Sequence, residues 1–181
     1  MRSGSGWIAA PGLVVTNAHV VAGIDDPSVE DSDGRHGTTT VLFDPDLDLA
    51  ILRTSGLVGK PLPVLRSEAP RGDQGAIIGY PQGGPLRAEP AAVLRRVNAV
   101  GRDIYGERLT SRAVYQIQAS VKPGNSGGPF VRPNGEVVGV VFSTSTTEPN
   151  VGYALTSDDV AHDIDIAQNR RSAVDTGRCV S

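Results

Sequence analysis

The sequence predicts an all-β protein of short strands, and three observations carry that expectation. Turn-forming residues are dense, with 22 glycines and 13 prolines in 181 residues, so regular elements have to be brief. Aromatic residues make up only 4%, which leaves an aliphatic core rich in β-branched side chains. Most apolar runs between the turns are too short for helices. Taken in order, those runs give strands over Trp7 to Ala9, Leu13 to Thr16, Thr38 to Phe43, Leu49 to Arg53, Gly75 to Tyr80, Ala91 to Val97, Ala113 to Ala119, Pro129 to Arg132, Glu136 to Ser143 and Val151 to Leu155. Val137 to Phe142 is apolar on both faces, as a strand buried in a core should be. The Pro133-Asn134-Gly135 turn joins two of the strands.

One helix is expected near the end. Thr156 and Asp159 have the spacing of a capping box with Asp in place of Glu, and Asp158 and Asp159 suit the positive helix start. Val160, Ile164 and Ala167 share one face that can dock on a barrel. The polar stretch from Arg66 to Asp73 marks a boundary between a first unit, residues 1–70, and a second, residues 71–181. The tail from Arg170 reads as loosely ordered.

The length fits one domain or two half-domains sharing an interface. With 17 basic and 20 acidic side chains the net charge is -3, so no basic excess points to nucleic acid as a partner. The longest apolar stretch, Val137 to Phe142, falls far below the ~18 residues of a membrane span, and Met1 to Gly6 holds no apolar signal region. Cys179 is the single cysteine and can form no bridge within the chain. The abrupt start reads as a longer protein cut at this point, with a partner cysteine expected in the missing part.

The chemistry concentrates in Pro123-Gly124-Asn125-Ser126-Gly127-Gly128-Pro129. Glycines on both sides of a serine allow a tight loop whose N–H groups face one concavity, a nest suited to an anion. A hydroxyl beside that nest supplies the nucleophile and the oxyanion donors of an acyl-transfer site. The hydroxyl needs a base. Of the three histidines, His36 lies in the polar loop Asp31 to Gly37, where a solvated side chain is expected, and His162 sits among aspartates on the helix, where a surface ion pair explains it. His19 differs, because it follows the strand Leu13-Val14-Val15 in an apolar context. An orienting carboxylate completes the set. Asp48 directly precedes the apolar strand Leu49 to Leu52 and is drawn inward, whereas Asp44 and Asp46 flank a proline as turn residues. Gly124 to Gly128 also fits the G-x-S-x-G elbow, but that fold places its histidine after the serine. The order His19, Asp48, Ser126 is that of the chymotrypsin type of triad.

Gly4-Ser5-Gly6-Trp7, Thr16-Asn17-Ala18-His19-Val20-Val21, Asp48-Leu49-Ala50-Ile51-Leu52 and Gly124 to Pro129 together resemble the signature blocks of trypsin-like serine proteases of the HtrA kind. Gly79-Tyr80-Pro81, Asp103-Ile104-Tyr105-Gly106 and the ending Thr176 to Ser181 are similar to a mycobacterial, membrane-anchored branch associated with acid resistance. The resemblance implies two antiparallel β-barrels of the chymotrypsin type, with His19 and Asp48 from the first and Ser126 from the second. It implies an oxyanion hole from the Gly124 and Ser126 amides and a substrate strand running along Phe142, Ser143 and Thr144. Ser120 would lie at the base of the specificity pocket, giving a small or medium apolar preference and no strong preference for basic residues. A strand preceding the Gly-Ser-Gly block is missing relative to the family, so the first barrel is expected to be truncated.

The same resemblance implies that Cys179 is half of a disulfide to a cysteine absent from this chain, in an extracytoplasmic location, with a membrane anchor in full-length relatives. The substrate would be polypeptide, cleaved through an acyl-enzyme with no metal or organic cofactor. Activity would fall as acid protonates the base. The alternative is an inactive homologue that grips extended peptides in the same cleft by strand addition.

Overall fold

Two runs of antiparallel strands divide the chain in the computed structural model, which describes residues 3–180. The first run holds β1 (Trp7–Ala10), β2 (Leu13–Thr16), a one-turn helix α1 (Ala18–Val21), β3 (Ser28–Asp31), β4 (Gly34–Gly37), β5 (Thr39–Asp44) and β6 (Leu49–Arg53). The second holds β7 (Gln74–Gly79), β8 (Arg87–Arg102), β9 (Leu109–Gln118), β10 (Pro129–Val131), β11 (Val137–Thr144), β12 (Val151–Thr156) and the helix α2 (Ser157–Ala167). The expected all-β architecture of the chymotrypsin type with a C-terminal helix is therefore present. β10, β11, β12, β9, β8 and β7 close into a six-stranded barrel. The first half is an open four-stranded sheet, β1-β2-β6-β5, accompanied by the β3–β4 hairpin, and not a closed barrel. Its edges are partly paired: Leu62 N–H donates to Ile8 O beside β1 at 2.9 Å, and Val174 N–H donates to Thr40 O on β5 at 2.9 Å.

A shared core joins the two halves. Trp7, Leu13, Val15, Leu49 and Ile51 from the first sheet pack with Val137, Val140 and Leu155 of the barrel and with Val160, Ile164 and Ala167 of α2. The predicted helical face is thus the buried one. A second cluster fills the barrel around Tyr115 and Phe130, and the Tyr115 hydroxyl accepts the Ala69 N–H at 2.8 Å.

Five expectations are corrected. His36 is not solvated: it lies on β4, and its Nε2 sits 2.9 Å from Asp31 Oδ1 with both side chains under one-fifth exposed. The two-residue loop Ser32-Asp33, followed by Gly34 at φ 125°, folds that polar segment into a hairpin. Val58 N–H and the His36 ring together hold the Asp31 carboxyl well below its usual range, at about 2. The tail is not loose, because Gly23 N–H donates to Thr176 O at 3.1 Å and the Arg53 guanidinium binds the carbonyls of Ala167, Gln168 and Arg170. Thr156 makes no capping bond to the helix backbone; its hydroxyl donates to the Asp159 carboxylate at 3.0 Å. His162 is exposed, as expected, but forms no ion pair among the described residues. Strand β8 also runs past the predicted Val97 to Arg102, since residues 98–102 have few buried side chains to create a pattern.

Asp163 is the exception on the buried face of α2. It is 8% exposed, and its Oδ2 has no partner among the described residues. Burial, with Asp44 nearby, pushes its carboxyl up to about 6, opposed by His162 and Arg170 and reinforced by Asp159. The folded state therefore holds a proton that the unfolded chain releases, and stability is lost as pH rises from about 4 to 6. Asp163→Asn, neutral throughout, should raise the thermal midpoint at pH 7 by on the order of 2–4 °C. The gain should nearly vanish at pH 4, as read by thermal unfolding at both values.

Candidate active site

The imidazole and its carboxylate meet through the first sheet. β2 ends at Thr16, Asn17 is extended at φ -83° and ψ 150°, and α1 then presents His19. Asp48 ends the turn after β5 in the left-handed region, φ 66°, which aspartate tolerates better than most residues. That backbone is fixed by Asn17, fully buried, whose Nδ2 donates to Asp48 O at 2.9 Å. The Asp48 carboxylate is 4% exposed. It accepts the His19 N–H at 2.9 Å and lies 2.8 Å (Oδ2) and 3.0 Å (Oδ1) from Nδ1. An ionised acceptor requires the proton on Nδ1, which leaves Nε2 as the basic nitrogen. Asp44 and Asp46 behave as turn residues: Asp44 Oδ1 accepts the amides of Asp46 and Leu47, and Asp46 pairs with Arg108.

The glycine segment folds as two successive tight turns. Asn125 N–H donates to Lys122 O at 3.0 Å and Gly128 N–H to Asn125 O at 2.9 Å. Their third positions, Gly124 and Gly127, have φ of 94° and 85°. Proline second and glycine third is the signature of a type II turn. Gly127 could be nothing else, because a Cβ there would lie 2.2 Å from Ser5 O and 2.4 Å from Thr16 Oγ1. Gln82 N–H donates to Pro123 O at 2.6 Å, and in a planar trans peptide this turns the Gly124 N–H the opposite way. Among the described residues the amides of Asn125, Gly127 and Gly128 are all paired, and those of Gly124 and Ser126 donate to no protein group. Two unpaired N–H groups flanking the half-buried Ser126 are what a developing oxyanion would need.

Ser5 was not singled out from the sequence. It is 3% exposed. Its hydroxyl donates to Gly124 O at 2.6 Å and accepts the Tyr80 N–H at 2.9 Å, its amide donates to Ser126 O at 2.8 Å, and its carbonyl accepts from Thr16 Oγ1 at 2.8 Å. The Gly-Ser-Gly block was its only sequence signal. Asn17 stood only within the Thr16 to Val21 block and Gln82 gave no signal, since their roles are contacts between segments distant in sequence.

A pocket of 240 Å³ beside His19 and Asp48 is lined by Phe142 and Ser143 among others. Thr144 and Ser120 are exposed and lie outside it, and Ser126 forms no hydrogen bond to the imidazole among the described residues. Cys179 is an exposed free thiol with Sγ 3.7 Å from Gly23 O. A larger pocket, 440 Å³, lies between Asp44, Asp46, His162 and Asp163. It contains the unpaired carboxyl described above but no glycine nest, so it offers no comparable acyl-transfer chemistry.

Residues 4–140 match a family model described as a trypsin-like peptidase domain. The serine protease Rv3671c of Mycobacterium tuberculosis is 38% identical over 179 residues, covering 98% of this chain and 45% of that protein. A probable periplasmic serine endoprotease, DegP-like, of Hahella chejuensis is 34% identical, covering 90% of this chain and 34% of its own length. The chain thus spans less than half the length of these curated relatives. The crystal structure of the Rv3671c protease in its active form superposes with a TM-score of 0.93, covering 98% of this chain and 78% of that one. The HtrA-type protease AlgW with a decapeptide gives 0.72 at 28% identity, covering 89% of this chain and 50% of that one.

Replacing Ser5 by Ala leaves the Gly124 carbonyl and the Tyr80 amide without their partner in a partly buried seam and should cost about 1–3 kcal/mol. Gly127→Ala should cost more, through both its φ and its contacts. Urea unfolding of the two variants beside the parent checks the size and the order.

Proposed function

Because the chain belongs to the trypsin-like peptidase family, as a serine protease of the HtrA kind, we propose that it hydrolyses peptide bonds through an acyl-enzyme, with His19, Asp48 and Ser126 as its triad. The observation that carries the reading is the Asp48–His19 contact, 2.8 Å from Oδ2 to Nδ1 with the carboxylate buried, together with a glycine loop that meets Thr16 and Asn17 at Gly127 and has two amides unpaired among the described residues. Ser126 Oγ attacks the carbonyl carbon while His19 Nε2 removes its proton. The Gly124 and Ser126 N–H groups hold the oxyanion, and His19 then returns the proton to the leaving amine. Water, deprotonated by the same nitrogen, attacks the ester and regenerates Ser126. Asp48 stabilises the imidazolium at each stage and fixes its tautomer. Catalytic hydrogen bonds in sites without substrate are often open and tighten on binding.

The substrate strand would pair with Phe142, Ser143 and Thr144, and its leading side chain would turn towards Ser120. No carboxylate is placed there by this assignment, so a small or medium apolar side chain is favoured over Lys or Arg. We place the protein outside the cytoplasm in a role in stress or acid resistance. Support for the location comes from the periplasmic name of the DegP-like relative, and for the role from the resemblance in its motifs.

A fluorophosphonate probe should label Ser126 alone, as mapped by mass spectrometry. Ser126→Ala and His19→Ala should each lower casein cleavage by on the order of 10⁴-fold or more. Undiminished cleavage by Ser126→Ala would overturn the assignment. Peptide capture in the cleft with no labelling would favour the inactive, peptide-gripping homologue.

A further inference from the structure

We propose that the pocket beside His19 is a subsite for an acidic side chain, taken from the residue immediately before the one whose carbonyl is attacked, the second when the attacked residue is counted as the first. The inference rests on the peptide-binding register given above and deepens it. Side chains on an extended peptide alternate between faces. When the first residue turns towards Ser120, the second turns the other way, towards His19.

The walls of that space come from both halves of the chain: His19 on α1, Phe142 and Ser143 on β11, and Arg102, Ile104 and Arg112 on the β8–β9 hairpin and its tip. Arg66, Arg96, Arg108, Arg132 and Arg178 each face a carboxylate, and Arg102 and Arg112 are in no ion pair among the described residues. Their partners are carbonyls. Arg112 donates to Leu47 O at 3.3 Å and Arg102 O at 3.1 Å, and Arg102 donates to Gly106 O at 3.0 Å. Carbonyls fix a guanidinium in place without an ion pair; Arg102 is exposed, and Arg112 also lines the larger pocket with Asp44, Asp46, Asp159 and Asp163.

Arg112 is further aligned over the Phe142 ring, 5.5 Å from its centroid. The hairpin tip is held by Asp103, whose carboxylate accepts the amides of Tyr105 and Glu107 at 3.1 and 2.9 Å. It is also braced from the tail, where Tyr105 donates to Thr176 O at 3.3 Å and Arg178 pairs with Glu107. Asp48, the one carboxylate in the pocket, is committed to the His19 ring and amide. Two positioned cations against one engaged anion leave a positive space beside the apolar walls of Phe142 and Ile104. A guanidinium has five N–H donors, so both arginines keep donors for a carboxylate.

The test reads binding without turnover. Peptides differing only in Glu, Gln or Lys at the second position are titrated against Ser126→Ala by fluorescence anisotropy. Glu should bind on the order of tenfold more tightly than Gln at low salt, with the gap closing as salt is raised. Arg102→Gln, at an exposed position, should narrow the gap, and Arg102→Glu should shift preference to Lys. In the parent, the Glu-to-Gln ratio of kcat/KM should follow the affinity ratio. Equal affinity for Glu and Gln, or no measurable binding of either, overturns the subsite. A Glu preference in binding with no cleavage by the parent leaves the subsite standing and overturns the hydrolase reading instead.

Discussion

Ser5 is held where the two halves of the chain touch, and it is engaged through all its polar groups at once. Its amide and hydroxyl reach the carbonyls on either side of the Asn125-Ser126 pair, and its own carbonyl receives the Thr16 hydroxyl just before His19. One residue of the N-terminal segment therefore sets both the glycine loop of the barrel and the approach to the imidazole. Glycine at 127 is the counterpart of that seam, since only a residue without a side chain lets Ser5 and Thr16 come so near. The proposed nucleophile and base belong to separate sheets, and this contact keeps the sheets in register.

Around the seam, the site is assembled from conformations that cost energy locally. Asp48 and Gln82 both occupy the left-handed region, and each uses it to aim a group: the carboxylate at His19 in one case and the amide at Pro123 O in the other. Such positions persist when surrounding contacts over-determine them. Asn17 supplies that support for Asp48, and the packing of residues 80–82 against Gly124 supplies it for the loop. The C-terminal tail adds a brace of the same sort, tying β5, α1's end and the β8–β9 tip together through Val174, Thr176 and Arg178.

Charge follows the same division. On the first sheet and α2, acidic groups are paired or gathered around the unpartnered Asp163. On the hairpin that overhangs the His19 pocket, two guanidiniums donate to carbonyls and form no ion pair among the described residues. Phe142 connects these regions, packing against the shared core on one side and under Arg112 on the other.

Strands of strong pattern were legible from the residues alone: Leu13 to Thr16, Leu49 to Arg53 and Val151 to Thr156 emerge almost as predicted, because β-branched and aliphatic runs bounded by turns have few other uses. The α2 face was legible for the same reason, as Val160, Ile164 and Ala167 all end in the core. Chemistry was legible where residue type is restrictive. A serine between glycines, a histidine in an apolar run and an aspartate against a strand have narrow physical meanings, and the sequence named His19, Asp48 and Ser126 as candidates on that basis.

Tertiary structure decided what local pattern cannot encode. The β3–β4 hairpin and its His36–Asp31 pair are polar and pack on little, so periodicity is silent about them. The tail looked free because its partners, Thr40, Gly23 and the Tyr105 hydroxyl, lie far back along the chain. Ser5, Asn17, Gln82, Arg102 and Arg112 acquire meaning only from distances across the fold. Composition and order along a chain determine which residue types are available for a task, whereas the direction of a hydrogen bond and the absence of a counter-charge belong to the folded arrangement.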